Sequence, residues 1–305
     1  MFESLFQDRG LSLDRLRTLA EVSRAGSIVG AAPGDASRQS LFSRQIKELE
    51  EFFGVSLAYR AGRKLKLTKE GRELVAVSNE FFVALGDFRR RTKNAACHFI
   101  IGSGESLLAW LVAPALSSPE LRGQQASLSY RNMRSREVAG ALIDMEIDLG
   151  ILRRDALPSS VLESREAPAI SYALYVPREM MPEKADFEWL IRNRPVVSLD
   201  ETTAFYKKLS GNLAGAGLQI TSFSGTPSFT CAASMMKSRA FAAILPDLAE
   251  IDLDESFVRV EHPLFHALHR DLVIAWNSRL LRVRPGVERF INAFHEAIRK
   301  RGGVT

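Results

Sequence analysis

Ser37-Arg38-Gln39-Ser40-Leu41-Phe42-Ser43-Arg44-Gln45-Ile46-Lys47-Glu48-Leu49-Glu50 carries two patterns at once. Leu41, Phe42, Ile46 and Leu49 recur at helical spacing and continue into Phe52 and Phe53, so they predict a helix from about Arg38 to Phe53 that Gly54 stops. The other face shows Arg38, Gln39, Ser40, Ser43, Arg44 and Lys47. Short amides and hydroxyls can read base edges in a major groove, and Arg and Lys can hold phosphates. A solvated helix face would look similar, so the flanking sequence has to decide.

Upstream, Ser12 can cap a helix whose apolar positions are Leu13, Leu16, Leu19, Ala20 and Val22, ending at Ala25-Gly26-Ser27. A short Ala-rich piece, Ile28 to Ala32, is cut by the turn Pro33-Gly34-Asp35. Downstream, Ala61-Gly62 is a tight turn between Leu57-Ala58-Tyr59-Arg60 and the alternating strand Arg63-Lys64-Leu65-Lys66-Leu67. Helix, turn, polar helix and basic hairpin together predict a winged helix-turn-helix over residues 1–68. Arg60, Arg63, Lys64 and Lys66 are then placed to meet phosphates or the adjacent minor groove. Charge agrees: residues 1–96 hold 17 Lys and Arg against 12 Asp and Glu, which accounts for the whole net charge of +5, and the remainder is balanced. A basic module on a neutral body fits a polyanion partner, double-stranded DNA.

A long helix without proline is predicted over 69–93. Leu74, Val77, Phe81, Leu85 and Phe88 follow one another at intervals of 3, 4, 4 and 3, a coiled-coil seam. Packing on its own domain is the alternative, but a connector with this many large apolar residues needs a partner, and a second copy of the chain supplies one. Beyond Cys97 strands alternate with helices, which predicts α/β architecture with a mostly parallel sheet.

Composition narrows the function classes. No stretch approaches the roughly 18 apolar residues of a membrane span, the N-terminus lacks a secretory pattern, and only Cys97 and Cys231 are present, so a cytoplasmic location is expected. No GxSxG or HExxH occurs. His262, His266 and His269 are spaced like ligands, but Pro263 and the strand-like Val258-Arg259-Val260 argue for a loop edge. Gly102-Ser103-Gly104-Glu105-Ser106, between a strand and a helix start, could hold an anion or be a plain tight turn; it lacks the third glycine of a dinucleotide loop and the lysine of a Walker loop. No catalytic residue, metal or cofactor is expected.

These residues resemble a known family. Leu16-Arg17-Thr18-Leu19, Ala25-Gly26-Ser27, Ala31-Ala32, Gln39, Ser43-Arg44-Gln45-Ile46, Leu49-Glu50, Phe53-Gly54-Val55, Leu57, Arg60, Gly62-Arg63 and Leu67-Thr68-Lys69-Glu70-Gly71 are similar to the N-terminal domain of LysR-type transcriptional regulators. Ile101-Gly102, Asp148-Leu149-Gly150-Ile151 and Ala243-Ile244-Leu245-Pro246 resemble the family's effector domain more loosely. The chain departs from the family at Pro33-Gly34, where a regular helix is usual, at Asp35, where leucine is usual, and at Ser40, often proline. The resemblance implies a prokaryotic, nucleoid-associated regulator that binds DNA as a homodimer or homotetramer. It also implies an effector domain, 97–305, of two subdomains like type-2 periplasmic binding proteins: 97–173 plus 270–305, and 174–269.

A small-molecule effector is expected between those subdomains, at the carboxyl ends of strands. The candidate residues are Ser103, Glu105, Ser106, Arg131, Thr202, Thr203, Phe229 and Thr230. Their hydroxyls and Arg131 favour an anion, most simply a carboxylate, with Trp110 and Phe229 beside an apolar part; Glu105 opposes an anion. Two other readings stand beside a gated DNA-binding regulator: a plain small-molecule-binding protein and an enzyme on the binding-protein fold. Neither explains residues 12–93.

Overall fold

The structure, a computed structural model, describes residues 9–61, 64–93, 95–124, 126–158, 161–284 and 286–301, with Glu3 and Leu5. It divides into two compact units. One is Met1–Cys97 joined by Ile143–Glu146 and Ser278–Pro285; the other is His98–Leu142, Ile147–Asn277 and Gly286–Thr305.

In the first unit, α1 (Leu13–Ala25) starts where the Ser12 hydroxyl accepts from Arg15 N–H, and α2 (Ile28–Ala31) where Ser27 accepts from Gly30 N–H. The Pro33-Gly34-Asp35 turn ends in a cap: Asp35 Oδ1 accepts from Arg38 N–H at 2.9 Å, so α3 (Ala36–Phe53) begins two residues before the sequence reading placed it. Leu19, Val22, Phe42, Ile46, Leu49, Leu57 and Val75 form the core. Strands β1 (Ala58–Ala61) and β2 (Lys64–Leu67) pair antiparallel with Arg60 opposite Leu65. Thr68 then caps α4 (Lys69–Thr92). A β-carbon on Gly71 would lie 2.0 Å from the Leu57 carbonyl oxygen, so only glycine lets the first turn of α4 come this close to the hairpin.

Two later segments complete this unit. The Asp87 carboxylate in α4 is buried against Arg284, whose Nε and Nη2 both donate to it. Asn79 donates to the Asp144 carbonyl at 2.5 Å, and Arg24 Nε donates to Glu146 Oε1 at 2.9 Å.

The second unit holds two five-stranded sheets. The first has the order β4-β3-β5-β12-β6, built from β3 (Cys97–Ser103), β4 (Ala126–Asn132), β5 (Leu149–Arg153), β6 (Leu162–Ile170) and β12 (Arg270–Asn277). The second has the order β11-β7-β10-β8-β9, built from β7 (Tyr172–Pro177), β8 (Pro195–Leu199), β9 (Ser222–Thr226), β10 (Ala242–Pro246) and β11 (Phe257–Val260). The chain passes from one sheet to the other at Ser171 and returns at His269.

The sheets are mixed, where alternation had predicted mostly parallel ones. β3–β5, β8–β9 and β8–β10 are parallel, but β12 runs antiparallel to β5 and β6, and β7 antiparallel to β10 and β11. The reversed strands are those next to the two passages, where the chain enters a sheet from its opposite end. Helices α5 (Glu105–Leu107), α6 (Ser135–Ile143), α7 (Phe187–Asn193), α8 (Ala204–Gly215) and α9 (Phe229–Lys237) follow strands. α5 continues through a π turn, Leu108–Val112. A short α10 (Arg279–Val283) in the first unit precedes α11 (Val287–Arg301).

Candidate functional site

The α3 helix turns Phe42, Ile46 and Leu49 into the core, which leaves Arg38, Ser40, Ser43, Arg44 and Lys47 exposed on the other side. Thr18 Oγ1 donates to Gln45 Oε1 at 2.7 Å and locks α1 against α3. The exposed cations have only loose acidic neighbours: Arg38 with Glu21 at 3.4 Å, Arg44 with Glu48 at 3.7 Å and Lys47 with Glu51 at 3.6 Å. Exposed pairs of this kind contribute about 0–1 kcal/mol and yield readily to phosphate.

Gln39 behaves differently from the rest of the face. It is half-buried, and its side-chain N–H donates to the Ala32 carbonyl at 2.8 Å, closing the end of α2. In the hairpin, Tyr59, Arg60 and Lys66 are exposed. Arg63 and the Lys64 side chain lie outside the described residues. Tyr59, half exposed, was not singled out by sequence; a β-strand aromatic is usually a packing residue, so its type alone carried no signal.

Along α4 the five seam positions separate. Val77, Phe81, Leu85 and Phe88 are between 43% and 59% exposed, whereas Leu74 packs on the winged core.

Of the predicted effector residues, Glu105 and Thr230 meet across the two sheets of the second unit. Several others are already committed to the fold. Ser103 is buried, and its hydroxyl donates to the Ile151 carbonyl at 3.0 Å. A β-carbon on Gly102 would meet Ile147 Cδ1 at 2.5 Å, so this glycine answers to packing. Thr203 caps α8, accepting from Tyr206 N–H and donating to the Asp200 carbonyl. Thr202 N–H donates to Asp200 Oδ1, and the hydrogen bonds from Thr202 hold the Asp200 carboxyl below its ordinary range. Phe229 is buried in a ring cluster with Tyr172 and Phe205, at centroid separations of 5.7 and 5.0 Å. Burial pushes the Tyr172 phenol up to about 12, so it stays neutral. Arg131 and Ser106 are half-buried at the ends of β4 and within α5.

Two side-chain bridges cross between the sheets. Glu105 Oε1 accepts from the Thr230 hydroxyl and, at 3.2 Å, from the Ser228 hydroxyl. Trp110 Nε1 donates to Asp252 Oδ2 at 2.8 Å. Ser228 also caps α9 by accepting from Cys231 N–H. The sequence reading missed Ser228, although Ser at the position before Phe229-Thr230-Cys231 is a recognisable cap. Among the described residues no group of three or more His, Cys, Asp or Glu could hold a metal ion, and no helix is long and apolar enough to cross a membrane.

Comparison with known proteins adds the family. Residues 13–72 match the bacterial regulatory helix-turn-helix protein, lysR family, and residues 96–299 match the LysR substrate binding domain. The uncharacterized HTH-type transcriptional regulator YfiE of Escherichia coli (strain K12) is 28% identical over 147 residues, 47% of this chain and 50% of that protein. The chain spans about half the length of the curated relatives it matches. Among solved structures, ArgP from Mycobacterium tuberculosis has a TM-score of 0.66 at 15% identity, covering 93% of this chain and 96% of that one. Full-length CbnR complexed with its target DNA has a TM-score of 0.55 at 17% identity, covering 94% and 100%. At such identities the likeness is one of fold. The two family matches follow each other in the order of the two sequence regions read above, the second alone covers more than half of the residues, and the chain belongs to the LysR family of bacterial regulators.

Proposed function

We propose that this protein is a sequence-specific DNA-binding transcription regulator whose activity a small molecule modulates by binding between the two sheets. The observation that carries the reading is the outward face of α3, where Arg38, Ser40, Ser43, Arg44 and Lys47 stand exposed opposite an apolar core, beside the exposed Arg60 and Lys66 of the hairpin. In this reading residues 1–68 bind DNA, 69–93 join two copies, and 97–305 sense the effector. The subdomains are 97–173 plus 270–305 and 174–269. α4 joins copies into a homodimer, or a homotetramer built from two, working on the nucleoid of a prokaryotic cytoplasm. CbnR, which shares the fold, was solved on its target DNA, and that supports the assignment.

Ser40 and Ser43 point the reading toward base edges; Arg38, Arg44, Lys47, Arg60, Arg63 and Lys64 toward the backbone or minor groove. Gln39 serves as a positioning residue that fixes α2 against α3. The test is gel retardation on DNA flanking the gene. Each phosphate contact releases counterions, so affinity is expected to fall steeply with salt. Lys47→Ala should weaken all sites about equally, and Ser43→Ala should change sequence preference by about 1–3 kcal/mol. Binding unchanged between low and physiological salt overturns the proposal.

A further inference from the structure

The start of α9 is dressed as an anion site. Its amide ends carry the positive pole of a nine-residue helix, and the hydroxyls of Ser228 and Thr230 stand 2.9 Å apart beside it. The occupant is already present, because both hydroxyls donate to Oε1 of Glu105, which arrives from the opposite sheet 125 positions away in sequence. A second bridge, Trp110 to Asp252, independently holds the same two sheets together, and Trp110 is 4% exposed. Glu105 is exposed, and no donor among the described residues reaches its Oε2.

We infer that Glu105 determines the ligand specificity of the cleft: it fills the carboxylate position at α9 from within the chain and offers Oε2 to a cationic, N–H-bearing group of the ligand. This rests on the reading of the cleft as the effector site, and it replaces the simple carboxylate expected from sequence. An internal carboxylate competes with a free one at an effective concentration of order millimolar or above. A ligand carboxylate at α9 would also sit against the charge of Glu105, whereas an ammonium or guanidinium meets it as a charge-assisted hydrogen bond.

The test uses the full chain and two probes of one skeleton, butylamine and butyrate, by titration calorimetry at constant ionic strength. The wild type is expected to bind butylammonium more than about tenfold tighter than butyrate. Glu105→Gln keeps the side-chain shape, so the hydroxyls stay occupied while the preference for the cation is lost. Glu105→Ala vacates the position, and butyrate is expected to become the better probe; adding Thr230→Val to Glu105→Ala should remove that gain. Glu105 is exposed, so these variants are expected to fold. Equal responses to the two probes across wild type and variants, including no response to either, overturn the inference, as does a butyrate gain that survives Thr230→Val. Failure of the regulatory reading shows separately, as a probe preference that switches while DNA retardation ignores both probes.

Discussion

Gly71 decides how α4 leaves the winged core. With a β-carbon 2.0 Å from the Leu57 carbonyl oxygen, Gly71→Ala forces backbone apart at a packed site. The expected loss is about 1–3 kcal/mol, read as a lower urea midpoint with the slope unchanged. Asp144 shows a different kind of strain. Burial first, and the Glu146 carboxylate second, raise its carboxyl from 3.8 to about 6 against the opposing pull of Arg72. A carboxyl whose folded pKa is raised binds its proton more tightly in the fold, so its contribution is full below about 3.8 and is lost as pH rises through about 6. Asp144→Asn should therefore flatten the stability curve between these limits and raise the unfolding midpoint at pH 7. An unchanged pH slope would rule this out. Neither Gly71's tight approach nor the bond from Gln39 to Ala32 was legible in the sequence, because each depends on where a turn brings backbone that periodicity does not locate. Asp35 was legible as a cap three residues ahead of Arg38, yet was read only as the end of a turn and as a departure from the family pattern.

The seam of α4 is where sequence periodicity translated most directly into surface. Val77, Phe81, Leu85 and Phe88 stay exposed along one stripe, and single exposed apolar residues are ordinary whereas a stripe of them calls for a partner. Phe81→Glu would place a charge in that stripe at a cost of several kcal/mol to association, and sedimentation velocity should show a smaller species than wild type. An unchanged oligomer would refute the seam. Leu74 belongs to the same period but packs inward, since Gly71 holds that end of α4 on the winged core. The hairpin and α3 were equally legible, because their signals are local: alternation, caps and a helical stripe within twenty residues. Strand direction was not. Nothing in Arg270–Asn277 marks it as running against both β5 and β6, and the Glu105–Thr230 bridge joins residues whose proximity only the completed sheets create.

Charge is divided unevenly along the chain: the whole excess of five positive charges lies in residues 1–96, while the remainder is neutral overall. Sequence order is divided less neatly. β12 sits between β5 and β6 and joins them, although it follows β6 by about a hundred residues. A chain stopped at residue 268 is expected to lose the first sheet, exposing the inner edges of β5 and β6 and appearing in the aggregate fraction of a size-exclusion run; a monodisperse, folded fragment would contradict this.

The same arrangement has a consequence for synthesis. As the polypeptide leaves the ribosome, Asp87 of α4 emerges together with Arg90, its neighbour at 3.4 Å, but long before Arg284, and β6 long before the strand that fixes it in place. Neither unit closes until the stretch from Arg270 to Arg284 has been translated, so β5 and β6 have open edges throughout the synthesis of the roughly one hundred residues between β6 and β12. At about 5–20 residues per second, β12 follows β6 by several seconds or more, a window in which chaperone capture and aggregation compete.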